Sequence, residues 1–333
     1  MTPVRAVLVG VGDIGARAHL PALVASRDVR LVGLVDRDLD RCAAAAPAIP
    51  ATRSLEDALS RWEVDAVVLA TPPCFTPQLA VAALVDGRFV LAEKPIAVSS
   101  AAAEPLIALE PSERARLQVG FTYRHHPALE QLREWVAAGS LGKPLLVRVH
   151  VYDERIDPGD PAHSRRVEAA LREGTPLLHD GAHVFDWLSL LFGLELPEIE
   201  DAWLLSTDEA LPAPNLTGAR LRYADGTRVL LEVGWWLPAF PASCLELVGP
   251  GGRARLNLED FAIDAIVEGR PRRIASAGEW GEQSFKRQLE RFVELCRSHR
   301  PPEPGLEEAL ASLRLSEQIQ TAAGFARTEA LRS

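Results

Sequence analysis

The sequence predicts an α/β protein: a doubly wound parallel sheet of the Rossmann type, followed by an α+β domain with a large, mostly antiparallel open sheet. Three observations predict it. Short apolar runs alternate with helical patterns through the first third. A glycine loop, Gly10-Val11-Gly12-Asp13-Ile14-Gly15, joins the first run to the first helix. Beyond residue 200, strand patterns follow one another without helices between them. A length of 333 residues favours two domains, here 1–123 and 124–333.

Val4–Val9, Arg30–Val35, Asp65–Ala70, Phe89–Ala92 and Leu117–Phe121 read as strands mostly apolar on both faces, as a helix-covered parallel sheet requires. Leu20–Ala25, Leu39–Ala46, Ser54–Arg61, Pro77–Val85 and Ser99–Leu109 read as the crossover helices. Pro21 is expected to kink or shorten the first. The rhythm changes near Tyr123–Pro127. A helix over Ala128–Ala138 stops at Gly139, and a strand follows over Pro144–Val151. Asp153–Arg166 reads as a charged loop before a helix that starts near His179. Strands with turns at Tyr223-Ala-Asp-Gly226 and Gly249-Pro-Gly-Gly252 fill Asp201–Leu258. Two amphipathic helices, Ser284–Ser298 and Leu306–Ala326, close the chain around Pro301-Pro302-Glu303-Pro304-Gly305 and are expected to pack back.

The composition, 47% hydrophobic and 25% charged, favours a buried core over disorder. A net charge of -10 excludes the basic stripe that nucleic acid requires. Cys42, Cys74, Cys244 and Cys296 form no CxxC pair, the pattern of reduced cytoplasmic thiols rather than of a disulfide frame or zinc site. No apolar stretch approaches the roughly 20 residues that span a bilayer, and Val4–Val9 runs into the glycine loop with no cleavage signal. The expected class is a soluble, cytoplasmic protein with a small-molecule substrate and no nucleic-acid or membrane partner.

The glycine loop carries chemistry. Gly10 permits a tight turn, Gly12 lets the backbone approach a pyrophosphate, and Gly15 lets helix and strand pack closely. The helix that begins at Asp13 and Ile14 turns free N–H groups to the phosphates. Asp36 lies 21 residues after Gly15, the spacing of a ribose-binding carboxylate. A carboxylate there accepts hydrogen bonds from a 2′-hydroxyl and repels a 2′-phosphate, so NAD leads. Arg37 beside it would pair with the phosphate of NADP were Asp36 to swing away, which keeps NADP as the second cofactor.

Phe89-Val-Leu-Ala-Glu93-Lys94-Pro95 ends a buried strand with an ion-capable pair. Ligands of open parallel sheets sit outside the carboxyl ends of the strands, which places Lys94 where nicotinamide and substrate meet. A lysine there polarises a carbonyl or carries a hydroxyl proton when burial lowers its pKa. The bland alternative is a snorkelling lysine paired with Glu93.

The glycine loop, Ala70-Thr71-Pro72, Glu93-Lys94-Pro95 and Gly120-Phe-Thr-Tyr-Arg124 occur in that order and together resemble the Gfo/Idh/MocA family of sugar and cyclitol oxidoreductases. The resemblance continues through Gly139-Ser-Leu-Gly142-Lys-Pro144, Glu232-Val-Gly-Trp235-Trp236, Gly249-Pro-Gly-Gly252 and Pro304-Gly-Leu-Glu-Glu-Ala309. It implies that Thr71, Pro72, Glu93 and Lys94 join the loop in holding the cofactor, with Lys94 at the reaction centre. It also implies a homodimer or homotetramer formed through the C-terminal sheet.

Leu178-His179-Asp180-Gly181-Ala182-His183-Val-Phe-Asp186-Trp187 is the second dense cluster. On a helix His179 and His183 share a face one turn apart. Zinc is disfavoured, since Gly181 stands where a metalloprotease carries glutamate and a structural site wants four ligands; no metal is expected. An imidazole at a domain interface and an acid/base role remain open. The family's aspartate, four residues before the histidine that matches His183, falls on His179, so the implied catalytic set is Lys94, His179 and His183, with Asp180 one position over. Thr76 departs from a histidine common in relatives. Arg124, Tyr152, Arg166, Asp180 and His183 are the candidates for substrate contacts.

The leading expectation is hydride transfer between nicotinamide and a secondary alcohol or ketone of a polyol. The alternatives are reduction of an imine or tetrapyrrole with the same cofactor, and a non-catalytic dinucleotide sensor suggested by His179.

Overall fold

A computed structural model describes residues 2–157, 159–275, 280–298 and 300–325. The chain divides into two compact units, Met1–His126 with Gly281–Leu310, and Pro127–Trp280 with the chain from Ala311 on. Residues 281–310, counted from sequence with the second domain, thus cluster with the first.

The first unit runs β1 (Val4–Val9), α1 (Leu20–Ala25), β2 (Val29–Val35), α2 (Leu39–Ala45), β3 (Ala51–Thr52), α3 (Leu55–Arg61), β4 (Ala66–Leu69), α4 (Thr76–Val85), β5 (Phe89–Glu93), α5 (Glu104–Ile107), α6 (Pro111–Arg114) and β6 (Leu117–Gly120). Its six strands are parallel in the order β3-β2-β1-β4-β5-β6. The order reverses between β1 and β4, so a ligand crevice lies outside their carboxyl ends. The five expected strands form nearly in place, while β3 is too short to show a pattern. Gly15–His19 forms a π-helical turn that runs into α1. The wider turn accommodates Pro21, which has no N–H for an i−4 bond and whose ring crowds the carbonyl one turn back. The helix expected at Ser99–Leu109 contracts to α5, because Pro105 in its first turn supplies no N–H to a helix arriving from Ser99.

The second unit contains α7 (Pro127–Ala137), β7 (Leu146–Asp153), α8 (Pro161–Glu173), α9 (Pro176–His179), α10 (Gly181–Phe192), β8 (Glu198–Leu205), β9 (Leu216–Arg222), β10 (Arg228–Trp235), β11 (Cys244–Gly249), β12 (Gly252–Asn257), β13 (Ile263–Val267) and β14 (Arg270–Ile274). They build an eight-stranded sheet in the order β14-β13-β12-β11-β7-β10-β9-β8. All its pairs are antiparallel except β7 with β10, which is parallel. The chain then forms α11 (Trp280–Ser298) and α12 (Leu306–Ala322). Ala326, the expected end of the last helix, lies outside the described residues.

Two expectations need correction here. The second half of the loop read at Asp153–Arg166 is the start of α8: the Asp160 carboxylate accepts the N–H groups of Ala162 and His163, and Pro161 takes the first turn. The charges that mimic a loop are its cap and its solvent face. The helix expected from His179 is two helices that meet at Asp180, so the two histidines do not share one regular helix.

The first core joins Leu8, Val68, Leu91, Leu20 and Leu23 to Leu289, Phe292, Val293 and Leu295 of α11. Each large apolar side chain buried there contributes about 1.5–3 kcal/mol, which explains why α11 returns to the first unit. In the second unit Val147, Val149, Leu231, Val233, Leu245, Leu247 and Leu256 are buried. Residues two apart share a face, so the intervening positions form the opposite one. There, register aligns Asp201, Arg220, Leu230, Arg148, Glu246, Arg255, Asp264 and Arg273 in one row across the sheet.

Candidate functional site

In the glycine loop the three glycines are not equivalent. Gly10 has φ +88°, and a Cβ there would lie 2.4 Å from the Ala70 carbonyl oxygen. A Cβ on Gly15 would lie 2.1 Å from the Gly10 carbonyl oxygen. Packing alone demands both. A Cβ on Gly12 would meet no atom within 4 Å, so the room that Gly12 leaves faces outward, where a pyrophosphate fits. Asp13 and Ile14 beside it are exposed, Ile14 by 42%.

Asp36 ends β2 and fixes this loop from the side. Its Oδ2 accepts the Val11 N–H at 2.8 Å and its Oδ1 accepts the Asp38 N–H at 2.9 Å. Each oxygen keeps a lone pair for a ribose hydroxyl. Across the crevice mouth the Arg37 guanidinium lies 5.2 Å above the Phe75 ring. Thr71 packs its methyl toward Gly10. The buried Thr76 ties the Thr71–Pro72 loop together by bonding Thr71 Oγ1 at 3.0 Å and donating toward the Thr71 and Pro72 carbonyls. These contacts hold the loop after β4 against the glycine loop.

At the end of β5, the buried Glu93 carboxylate meets His19 Nε2 at 2.7 Å through Oε1 and accepts the Lys94 N–H at 3.1 Å through Oε2. Gly120 makes room for it, since a Cβ there would lie 3.0 Å from Glu93 Oε1. The His19 ring stands edge-on to Phe285 at 5.2 Å. Glu93 is therefore a braced group at the base of a half-buried Lys94 that precedes a cis peptide to Pro95. His19 escaped sequence reasoning; its one signal is a histidine one turn after Gly15 in an otherwise apolar-facing helix. Arg124 is buried and faces Glu308 at 4.0 Å, the structural ion pair rather than an open cation. Beside it burial, then the charges of Arg124, Arg291 and Arg287, depress His125 to about 3. Burial and Arg287 bring His126 to about 4.

In the second unit the cluster forms around Trp235. Its indole N–H donates to Asp180 Oδ2 at 2.5 Å. The His179 ring lies 5.2 Å from the Trp235 ring, and His179 Nε2 donates to the Ala170 carbonyl at 3.2 Å. His183 is buried in α10 with its ring stacked toward Trp187 at 6.4 Å, and Asp186 is buried one turn on. Glu154 and Trp236, which follow β7 and β10, both take left-handed backbone, φ 52° and 60°, and the Trp236 N–H donates to the Glu154 carbonyl. Two such strained residues in contact mark an over-determined spot. The Glu154 carboxylate faces His163 Nδ1 at 3.4 Å and Arg166 Nη2 at 3.5 Å. Burial first, and then Asp153, push its carboxyl up, with Arg166 opposing. His179, Asp180 and Arg166 thus gather near Trp235 and Trp236. Tyr152 does not: it pairs in register with Gly234 rather than Trp235, which turns it to the other sheet face, where its hydroxyl donates to Glu232 at 2.8 Å. Among the described residues no group of three or more His, Cys, Asp or Glu side chains is arranged to hold a metal.

A glycine-loop crevice at a switch point, with a braced Glu–Lys pair at a strand's carboxyl end, and a separate α+β unit carrying a histidine cluster define the class of two-domain, dinucleotide-binding oxidoreductases. Residues 4–121 match the oxidoreductase family with an NAD-binding Rossmann fold, and residues 129–255 match the GFO/IDH/MocA C-terminal domain. The chain belongs to the Gfo/Idh/MocA family. It is similar to an inositol 2-dehydrogenase of Leifsonia xyli subsp. xyli, 35% identical over 77% of this chain and 75% of that protein. It is also similar to the dTDP-3,4-didehydro-2,6-dideoxy-alpha-D-glucose 3-reductase of Streptomyces violaceoruber, 32% identical over 76% and 73%. The fold matches that of KijD10, a 3-ketoreductase from Actinomadura kijaniata solved with NADP and TDP-benzene, with a TM-score of 0.81, 22% identity and coverage of 96% and 98%. No helix among the described residues is long and apolar enough to cross a membrane.

Proposed function

We propose that this chain interconverts a secondary carbinol and its ketone on a sugar, cyclitol or related polyol. The observation that carries the proposal is Lys94, set at the carboxyl end of β5 on a Glu93 carboxylate that His19 and the Lys94 N–H hold in place. The relatives named for inositol and for a dideoxyglucose derivative support the substrate class. They give no support to imine or tetrapyrrole reduction, or to a sensor.

The nicotinamide, when bound, supplies the hydride acceptor or donor. Gly10, Gly12, Asp13, Ile14 and Gly15 receive the phosphates, Asp36 the adenosine ribose, and Thr71, Pro72 and Glu93 line the crevice. Lys94 holds the substrate oxygen and exchanges its proton as the carbinol carbon loses or gains hydride. His183 is the second proton-handling group, with Asp180 and Arg166 on substrate hydroxyls. His179, engaged with Ala170 and Trp235, positions rather than reacts. Lys94→Ala should lower kcat by about 10²–10⁴-fold while NADH affinity stays nearly unchanged. Equal loss of both, or of neither, would sink the assignment.

The open sheet face supports self-association as a homodimer or homotetramer. Trp203, Leu205, Leu230 and Ile266 are exposed by 39–51%, and they flank alternating ion pairs such as Arg148–Glu246 and Arg220–Asp201. Light scattering should give a dimer or tetramer that Leu230→Glu dissociates; a monomeric wild type overturns this. Cys42, Cys74, Cys244 and Cys296 are thiols rather than disulfide partners, which supports a cytoplasmic site.

A further inference from the structure

The chain just past β7 and β10 is shaped to hold one side chain. Pairing of the two parallel strands ends at Asp153 with Trp235. The next residues, Glu154 and Trp236, both take left-handed backbone and are joined by the Trp236 N–H. Side chains other than glycine adopt that conformation at a cost, so surrounding contacts must fix it. The Glu154 Oε2 that results lies 3.4 Å from His163 Nδ1 and 3.5 Å from Arg166 Nη2, both on α8.

His163 and Arg166, three residues apart on a helix, share a face. A backbone carbonyl only accepts hydrogen bonds, and a guanidinium only donates them. His163 Nε2 lies 2.9 Å from the Arg155 carbonyl, and its Nδ1 lies 2.8 Å from Arg166 Nη2. The two contacts together assign the Nε2–H tautomer and leave Nδ1 bare. Nδ1 then has no proton for Glu154, and Arg166 joins the two, with one Nη2 hydrogen for each. The His163 ring is itself set against Trp236, 5.9 Å between centroids. Among the described residues Arg166 makes no other hydrogen bond, and its side chain is 48% exposed. Docking of α8 does not need this arrangement, because Val167 and Leu171 anchor the helix on Trp235. An arginine braced on two sides with its other N–H groups open is suited to bind, since little of its freedom is left to lose.

We propose that Glu154 and His163 are positioning residues, which hold Arg166 so that its remaining N–H groups take hydroxyls of the substrate. The inference rests on the reading of the Trp235 cluster as the substrate site of a polyol oxidoreductase. Steady-state kinetics with NAD test it on myo-inositol, or on whichever inositol, hexose or alditol of a panel turns over fastest. Arg166→Ala and His163→Phe, which keeps a ring against Trp236, should raise KM by about 10–100-fold while kcat changes less. Glu154→Gln should raise it by about 3–10-fold. His163→Asn, whose side-chain oxygen can stand in for Nδ1, should recover most of the loss. The Arg166→Ala/His163→Phe double variant should be no worse than Arg166→Ala, because His163 acts through Arg166. Selective 15N-histidine labelling reads the tautomer above neutral pH with no substrate present. Unchanged KM in Glu154→Gln and His163→Phe, losses that add in the double variant, or an Nδ1–H tautomer for His163 overturns this proposal alone. A wild type that oxidises no polyol of the panel overturns the carbinol reading together with it.

Discussion

The crevice of the first unit and the Trp235 cluster of the second both gather polar groups, yet by different means. In the crevice the backbone does the holding: Gly10 and Gly15 are fixed by contacts to main-chain oxygens, and Asp36 by main-chain N–H groups. Around Trp235 the side chains do it: Asp180 accepts an indole N–H, His179 donates to the Ala170 carbonyl, and Glu154 meets His163 and Arg166. A backbone-held site tolerates few changes at its glycines and many around them. A side-chain-held site spreads its dependence over many positions and so adapts more readily to a new ligand.

The largest effect should come from breaking the backbone-held site. Gly10→Ala puts a Cβ 2.4 Å from the Ala70 oxygen in a left-handed conformation, and should cost on the order of 4 kcal/mol or more, read as a fall in Tm. Gly12→Ala meets no atom within 4 Å and should leave Tm within about 2 °C while weakening NADH binding at least tenfold. If the two variants behave alike in both measurements, the division between a packing glycine and a ligand glycine is wrong.

The side-chain-held site divides along a different line. His183→Ala should lower kcat by about 10²-fold or more. His179→Asp restores the residue usual in the family but loses the Ala170 bond and the Trp235 ring contact. It should lower stability by about 1–2 kcal/mol and change kcat by less than tenfold. A kcat that collapses in His179→Asp while Tm holds would move His179 into the reaction itself.

This contrast also explains what the sequence made legible. Glycines forced by close backbone approach stand out, and so do Asp36 and Lys94, because strand ends and spacing locate them. The buried strands stood out as runs such as Val4–Val9, where Arg5 is the one polar residue. Contacts between residues remote in the chain left no such trace. His19 and Glu93 are 74 positions apart and Arg5 and Asp65 are 60 apart, and no spacing rule connects either pair. The charged stretch before Val167 hid α8 because only Val167 and Leu171 of that helix are buried, too few for a periodic stripe. Tyr152 was placed with the substrate residues because period two fixes alternation but not which face is which.

Acid sharpens the comparison from the side of the first unit. His125 and His126 are held near 3 and 4, against 6.5 in the unfolded chain. Above pH 6.5 both states are neutral and nothing is lost. As the pH falls below 6.5 the unfolded chain takes up protons that the native state refuses, so stability falls progressively toward pH 4. Denaturant unfolding at pH 7 and pH 4.5 should differ by on the order of 5 kcal/mol from the two histidines together, about half of it from each. His125→Phe should flatten the slope, since among the described residues the buried Nε2 of His125 has no hydrogen-bond partner to lose. An unchanged slope in that variant would assign the acid sensitivity to other groups.

The smallest effect tests the loop after β4. Thr76 is fully buried, and its hydroxyl reaches Thr71 Oγ1 at 3.0 Å and the carbonyls of Thr71 and Pro72 at 3.2 Å. Thr76→Val keeps the shape and removes that one polar atom, so the cavity stays filled while the hydroxyl of Thr71 loses a partner. The loss should be about 1 kcal/mol in stability, with an NADH affinity that falls no more than about threefold because Gly10 and Asp36 hold the crevice without it. Thr76→Ala, which also empties the methyl's space, should cost more in Tm than Thr76→Val. If instead Thr76→Val weakens NADH binding as strongly as Gly12→Ala does, the loop after β4 belongs to the ligand-holding part of the crevice, and the backbone-held site reaches further around the cofactor than the glycine loop alone.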